Sequence, residues 1–138
     1  MKKILVVDDE SDMVDLLAHN LIQGGYQVVT AKTGLEALNK ARQHLPDLIL
    51  LDLMLEGLDG YSVCEILRAQ PSTAEVPVII LTALAGQIAR FNGFASGADD
   101  YVSKPFSPVD LLERIRRLLE IQEQRIRLRN FEENLQSL

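Results

Sequence analysis

The sequence predicts an α/β domain built on a buried parallel sheet, and three observations carry that prediction. Short apolar runs recur at Ile4–Val7, Tyr26–Thr30, Asp47–Asp52, Val78–Thr82 and Tyr101–Val102, and segments with helical spacing separate them. Leu48, Ile49, Leu50 and Leu51 are consecutive and apolar, as in a strand covered on both faces. Several runs stop on a polar side chain: Asp8 after the first, Asp52 after the third, Thr82 after the fourth. An open parallel sheet binds its ligands beyond these carboxyl ends.

Taken in order, the first strand runs from Ile4 to Val7 and meets Asp8-Asp9-Glu10. Ser11–Gln23 places Met13, Val14, Leu17 and Leu21 at helical spacing and closes on Gly24-Gly25. Tyr26–Thr30 is the second strand, and Thr33–His44 the second helix, with Leu35, Leu38 and Ala41 turned inward. After the third strand, Tyr61–Ala69 forms a helix that Pro71 terminates. Val78–Thr82 is the fourth strand. A weakly patterned helix through Ile88, Phe91 and Ala95 follows and ends near Gly97. Tyr101 and Val102 sit in a short fifth strand, and Pro108 opens a long last helix at its first turn. Alternating strands and helices imply right-handed crossovers. The strand order 2-1-3-4-5 of the flavodoxin-like doubly wound sheet is the common solution at this size.

The chain of 138 residues suits one domain with a short appendage. Residues 1–120 are expected to form the domain, and 121–138 a helical extension able to act as a coiled-coil connector. Ile121, Leu128 and Leu135 fall seven apart, as do Gln124, Phe131 and Leu138, and no Gly or Pro interrupts them. The net charge of −6 argues against nucleic-acid contact by this chain. No run approaches the apolar length of a membrane span. The single Cys64 excludes an intramolecular disulfide and fits a reducing compartment, so a cytoplasmic location is expected.

The chemistry gathers at the strand ends. In the 2-1-3-4-5 order, strands one and three are neighbours, which sets Asp8 and Asp9 about 5 Å from Asp52 across the sheet. Such carboxylates repel one another unless a cation joins them. An oxygen-only site points to magnesium, with manganese as the alternative. The Asp8-Asp9 pair also reads as a cap on the first helix, and Thr82 as a cap on the fourth. As a ligand, the Thr82 hydroxyl can donate to a group bonded to Asp52. Lys104 lies roughly 10 Å from Asp52 along the sheet, a gap only a long side chain spans. A carboxylate nucleophile, a cation, a hydroxyl and an ammonium around one point suit formation of an acyl phosphate.

Four stretches carry a resemblance: Val6-Val7-Asp8-Asp9-Glu10, Leu51-Asp52-Leu53-Met54, Leu81-Thr82-Ala83 and Lys104-Pro105-Phe106. With them, residues 2–120 resemble the receiver domain of bacterial two-component response regulators. The resemblance implies that Asp52 accepts phosphate from a sensor histidine kinase or phosphotransfer protein. It implies that Asp9, Asp52 and the Met54 carbonyl bind magnesium, with Asp8 acting largely through water. Thr82 and Lys104 would contact the phosphoryl oxygens, and Tyr101 would be the aromatic that turns inward as Thr82 moves. Such a chain is no enzyme beyond its own phosphorylation and dephosphorylation.

The segment from Gly97 to Pro108 resembles the subfamily that forms homodimers through its fourth helix, fifth strand and fifth helix. Arg90 with Asp110, and Asp100 with Arg114, would supply intermolecular ion pairs in the phosphorylated dimer. Ala95 replaces the acid expected opposite Arg116, and Glu56 replaces a usual proline beside the acid cluster. An output domain after Leu138 is the implied signalling partner. Two other readings compete: a magnesium-dependent phosphohydrolase using Asp52 as nucleophile, and an interaction module independent of phosphorylation.

Overall fold

A computed structural model describes residues 1–137. The strands are β1 (Lys3–Val7), β2 (Gln27–Ala31), β3 (Leu48–Leu51), β4 (Val78–Thr82) and β5 (Asp100–Ser103). The helices are α1 (Ser11–Gln23), α2 (Gly34–His44), α3 (Gly60–Ala69), α4 (Gln87–Ala95) and α5 (Pro108–Gln136). All strand pairs are parallel, in the order β2-β1-β3-β4-β5. Val7 stands beside Leu51, Leu51 beside Ile80, and Thr82 beside Ser103. The register therefore brings the carboxyl ends of the four adjoining strands to one edge.

Alternation along the strands divides the core into two layers. Leu5, Val7, Ile49, Leu51, Val78 and Ile80 face α2 and α3, meeting Ala37, Leu38, Ala41, Val63, Cys64 and Leu67. Ile4, Val6, Leu48, Leu50, Ile79 and Leu81 face α1 and α5, meeting Leu17, Leu21, Leu111, Ile115 and Leu119. Both faces of β3 are thus buried, which is why its sequence does not alternate.

Two helices turn differently from the sequence expectation. In α2, Leu35 is 68% exposed, while Gly34, Ala37, Leu38 and Ala41 form the buried stripe. Thr33 caps the helix by accepting from the Glu36 N–H, and that start sets Leu35 about 100° off the buried face. In α4, Ile88 and Phe91 are 79% and 72% exposed, and Ala95 is exposed as well. The helix meets the sheet through Ala89, Gly93 and Ser96 instead. A Cβ on Gly93 would lie 3.0 Å from both Ile80 and Tyr101, so the absence of a side chain lets α4 approach closely. The apolar stripe read from the sequence is the opposite, solvent-facing side.

Helix α5 is continuous over 29 residues, or roughly 43 Å at the α-helical rise. Ser107 caps it through the Asp110 N–H, with Pro108 in the first turn. Its last buried residue is Leu119, and beyond it every described residue except the half-buried Gln122 is exposed. Arg129 reaches back to Glu75 with contacts of 2.9 and 3.0 Å. Leu138, the last member of the sequence's heptad spacing, lies outside the described residues.

Candidate functional site

Four side chains from four strand ends define the site. Asp8 follows β1 and is 2% exposed; Asp52 follows β3 and is 5% exposed. The Asp52 N–H donates to the Val7 carbonyl at 3.0 Å and the Asp8 N–H to the Ala31 carbonyl at 3.1 Å. The sheet ladder is thereby prolonged one residue to hold both acids. Lys104 follows β5, its N–H donating to the Thr82 carbonyl at 2.8 Å, and its peptide bond to Pro105 is cis.

The Lys104 side chain crosses the strand ends and joins the acids. Its Nζ lies 2.7 Å from Asp8 Oδ2 and 3.0 Å from Asp52 Oδ2. The other oxygens are also engaged: Asp8 Oδ1 accepts from the Glu10 N–H at 2.9 Å, and Asp52 Oδ1 from the Met54 N–H at 3.1 Å. Burial works against the charge on Lys104, but the hydrogen bonds it donates to Asp8 and Asp52 outweigh that cost and raise its pKa. The ammonium is therefore fully charged at neutral pH. Repulsion between the two carboxylates, which the sequence reading resolved with a cation, is offset here by Lys104.

Close packing beneath the acids protects this geometry. A Cβ on Gly60 would stand 2.5 Å from the Asp52 carbonyl and 2.7 Å from Leu53 Cα. Helix α3 begins at this glycine, capped by Asp59 accepting from the Ser62 N–H, and so presses directly on the loop after β3.

Thr82 is fully buried at the end of β4, and its Oγ1 accepts from the Leu84 N–H at 3.3 Å. Tyr101 is 2% exposed and turned inward, donating its hydroxyl to the Leu84 carbonyl at 2.6 Å. Leu84 is thus tied to Thr82 by its amide and to Tyr101 by its carbonyl. Burial, foremost, raises the Tyr101 pKa and keeps the phenol a donor. The guanidinium of Arg90 lies 5.3 Å from the Tyr101 ring centroid and donates to the Tyr101 carbonyl at 3.3 Å.

The remaining sequence candidates fall into two groups. Asp9 and Glu56 are exposed, and the Met54 side chain is 60% exposed. Among the described residues, no three acids stand close enough to share a metal ion. The convergent acids are the pair Asp8 and Asp52. On the α4-β5-α5 surface, Arg114 contacts Asp100 at 2.8 Å and Asp110 at 2.9 Å within the same chain. Arg90 is engaged with Tyr101, and among the described residues no ion pair joins it to Asp110.

Two features escape a reading of sequence alone: the Asp8–Lys104 contact and the position of Arg90 over Tyr101. Their residues are 96 and 11 positions apart, and only the strand order and side-chain reach unite them.

Two buried carboxylates that each direct an oxygen toward one cationic group form an acidic, oxygen-only cradle. That donor set suits magnesium, which takes one or two carboxylates and keeps several waters.

Comparison with known proteins gives a consistent result. Residues 4–116 match the family described as response regulator receiver domain. The chain is 49% identical over 118 residues to the alkaline phosphatase synthesis transcriptional regulatory protein PhoP of Bacillus subtilis, covering 86% of this chain and 48% of that protein. It is 48% identical over 120 residues to the DNA-binding dual master transcriptional regulator RpaA of Synechocystis, with coverage of 86% and 49%. The chain thus spans about half the length of these curated relatives. Among solved structures, a CheY-like receiver domain protein from Methanospirillum hungatei is 32% identical with a TM-score of 0.85, covering 91% of this chain and 98% of that one. The BeF3-activated DrrB receiver domain is 38% identical with a TM-score of 0.79, covering 87% and 98%. With its parallel sheet and an acid pair closed by a lysine, this chain belongs to the receiver-domain family of two-component response regulators.

Proposed function

We propose that Asp52 is the phosphoryl acceptor of this receiver domain, which serves two-component signalling. The observation that carries the reading is the convergence of buried Asp8 and Asp52 on the Lys104 ammonium. In the reaction, an Asp52 carboxylate oxygen attacks phosphorus while the bond to a phosphohistidine nitrogen breaks. The bonding pair returns to the imidazole of the donor, a sensor kinase or phosphotransfer protein. Lys104 then exchanges its contact with the carboxylate for one with a phosphoryl oxygen. Thr82, one strand away, supplies a hydroxyl once it releases the Leu84 N–H.

Receiver domains are generally magnesium-dependent, and we assign the ion to Asp9, Asp52 and the Met54 carbonyl, with Asp8 acting through water. When bound, it neutralises charge on the transferring phosphoryl oxygens. The acceptor step is expected to need it: incubation with acetyl phosphate, read by intact mass, gives one added phosphoryl group with magnesium and none after chelation. Equal yield in chelator contradicts the assignment.

Charge at the site reaches the surface through Leu84. Movement of Thr82 toward a phosphoryl oxygen frees the Leu84 amide, and the Leu84 carbonyl is the partner of Tyr101. Arg90, stacked on Tyr101, belongs to α4, and with Asp100 on β5 and Asp110 and Arg114 on α5 it lies on the elements through which a homodimer would form on phosphorylation. We take residues 1–120 as the receiver and 121–138 as a helical extension. The named relatives regulate transcription and are about twice as long, which supports an output segment under the receiver's control. The net charge of −6 gives no support to nucleic-acid contact by this chain. Among the described residues no helix is long and apolar enough to cross a membrane. A reduced, buried Cys64 fits a cytoplasmic setting.

A further inference from the structure

The part of α5 beyond Leu119 carries two distinct faces. Gln122, Ile126 and Arg129 form the side turned to the domain. Gln122 and Ile126 line a groove with Pro46, Val76 and Pro77, and Arg129 pairs with Glu75. On a face roughly 150° away, at 3.6 residues per turn, lie Ile121, Gln124, Leu128, Phe131 and Leu135. The four apolar residues there are 40%, 59%, 60% and 53% exposed. The extension therefore does not lay its apolar face on its own domain.

We infer that this face is a seam for the same face of a second copy of the chain, paired parallel and in register. The alternating three- and four-residue spacing is that of a two-stranded coiled coil with Ile121, Leu128 and Leu135 at one core position and Gln124 and Phe131 at the other. Charge selects the partner. In a parallel pair, Glu120 faces the partner's Arg125, and Arg127 faces the partner's Glu132, so every flanking contact joins opposite charges. An antiparallel pair on the same seam sets Arg127 opposite the partner's Asn134 and loses half of these attractions. Among the described residues, no ion pair engages Arg125, Arg127 or Glu132, while Glu120 holds Arg116 at 2.6 Å within the chain. Arg114 stands seven residues before Ile121, so the seam continues the α5 surface that carries Asp110 and Arg114. Fewer than three heptads make a weak pair, one that chemical trapping can accumulate.

The seam forms without any phosphoryl group, and its test is independent of phosphotransfer. Variants Ile121→Cys and Leu128→Cys of the full chain, each adding one cysteine, are oxidised and run on a non-reducing gel, with Glu133→Cys on the outer face as reference. Buried Cys64 is shared by all, and the unaltered chain is the control. Both seam variants are expected to form disulfide dimers several-fold faster than Glu133→Cys. Ile121→Cys meets its own counterpart only in the parallel arrangement. In the Leu128→Cys background, Arg127→Glu should slow dimer formation and Glu132→Arg added to it should restore the rate. Equal rates for Ile121→Cys and Glu133→Cys, or no effect of the charge exchange, overturn the proposal.

Discussion

Asp52→Asn is expected to abolish covalent phosphorylation by acetyl phosphate, leaving the intact mass unchanged under conditions that modify the unaltered chain fully. The amide is close to the carboxylate in shape, yet its oxygen is a poor nucleophile and forms no acyl phosphate. The fold should survive, since Lys104 keeps its 2.7 Å contact with Asp8 and the β1-β3 ladder is untouched. Circular dichroism confirms that survival. A folded Asp52→Asn chain that still gains a phosphoryl group places the acceptor elsewhere.

Lys104→Ala is expected to be the costliest single change at the site for stability. Asp8 and Asp52 have side chains only 2% and 7% exposed, and Lys104 is their shared counter-charge. Removing one partner of such a buried arrangement leaves like charges uncompensated, at a cost of about 3 kcal/mol. Urea denaturation in a magnesium-free buffer reads that loss as a lower midpoint. Adding Asp8→Asn to the Lys104→Ala chain should recover part of it, because the remaining carboxylate then faces a neutral amide. If Asp8→Asn instead destabilises both backgrounds equally, the two residues are not coupled and the contact contributes nothing.

Much of the fold was legible from strand chemistry. β3 and β4 announce themselves through consecutive apolar residues, since helices cover both faces, and Asp52 and Thr82 mark their ends. The 2-1-3-4-5 order was expected as the common solution for alternating strands and helices at this size, and the sheet has it. Helix faces were harder to read. Leu35 and the Ile88-Phe91 stripe are apolar yet exposed, and periodicity reports that a stripe exists without saying which side meets the sheet. In α4 the side that meets the sheet is the half-buried Ala89 and the buried Gly93, with Ser96 just past the helix end, small residues that leave no hydrophobic signature.

The site shows the same division. Its residues were visible at strand ends, and the reach of Lys104 across two strand spacings to Asp52 was expected from the length of its side chain, but its 2.7 Å contact with Asp8, one strand farther, was not. The inward turn of Tyr101 was open for a similar reason. A tyrosine in an edge strand suits water or core equally well, and the choice here rests on the Leu84 carbonyl and the Arg90 guanidinium, neither encoded by local spacing.

The most direct test of the account locates the modification itself. The chain is phosphorylated with acetyl phosphate and magnesium, reduced with borohydride, which converts an aspartyl phosphate to homoserine, and mapped by tandem mass spectrometry. The account predicts a single converted residue, Asp52. Conversion at Asp8 or Asp9, or a phosphoryl group found on His19 or His44 with Asp52 intact, would contradict it.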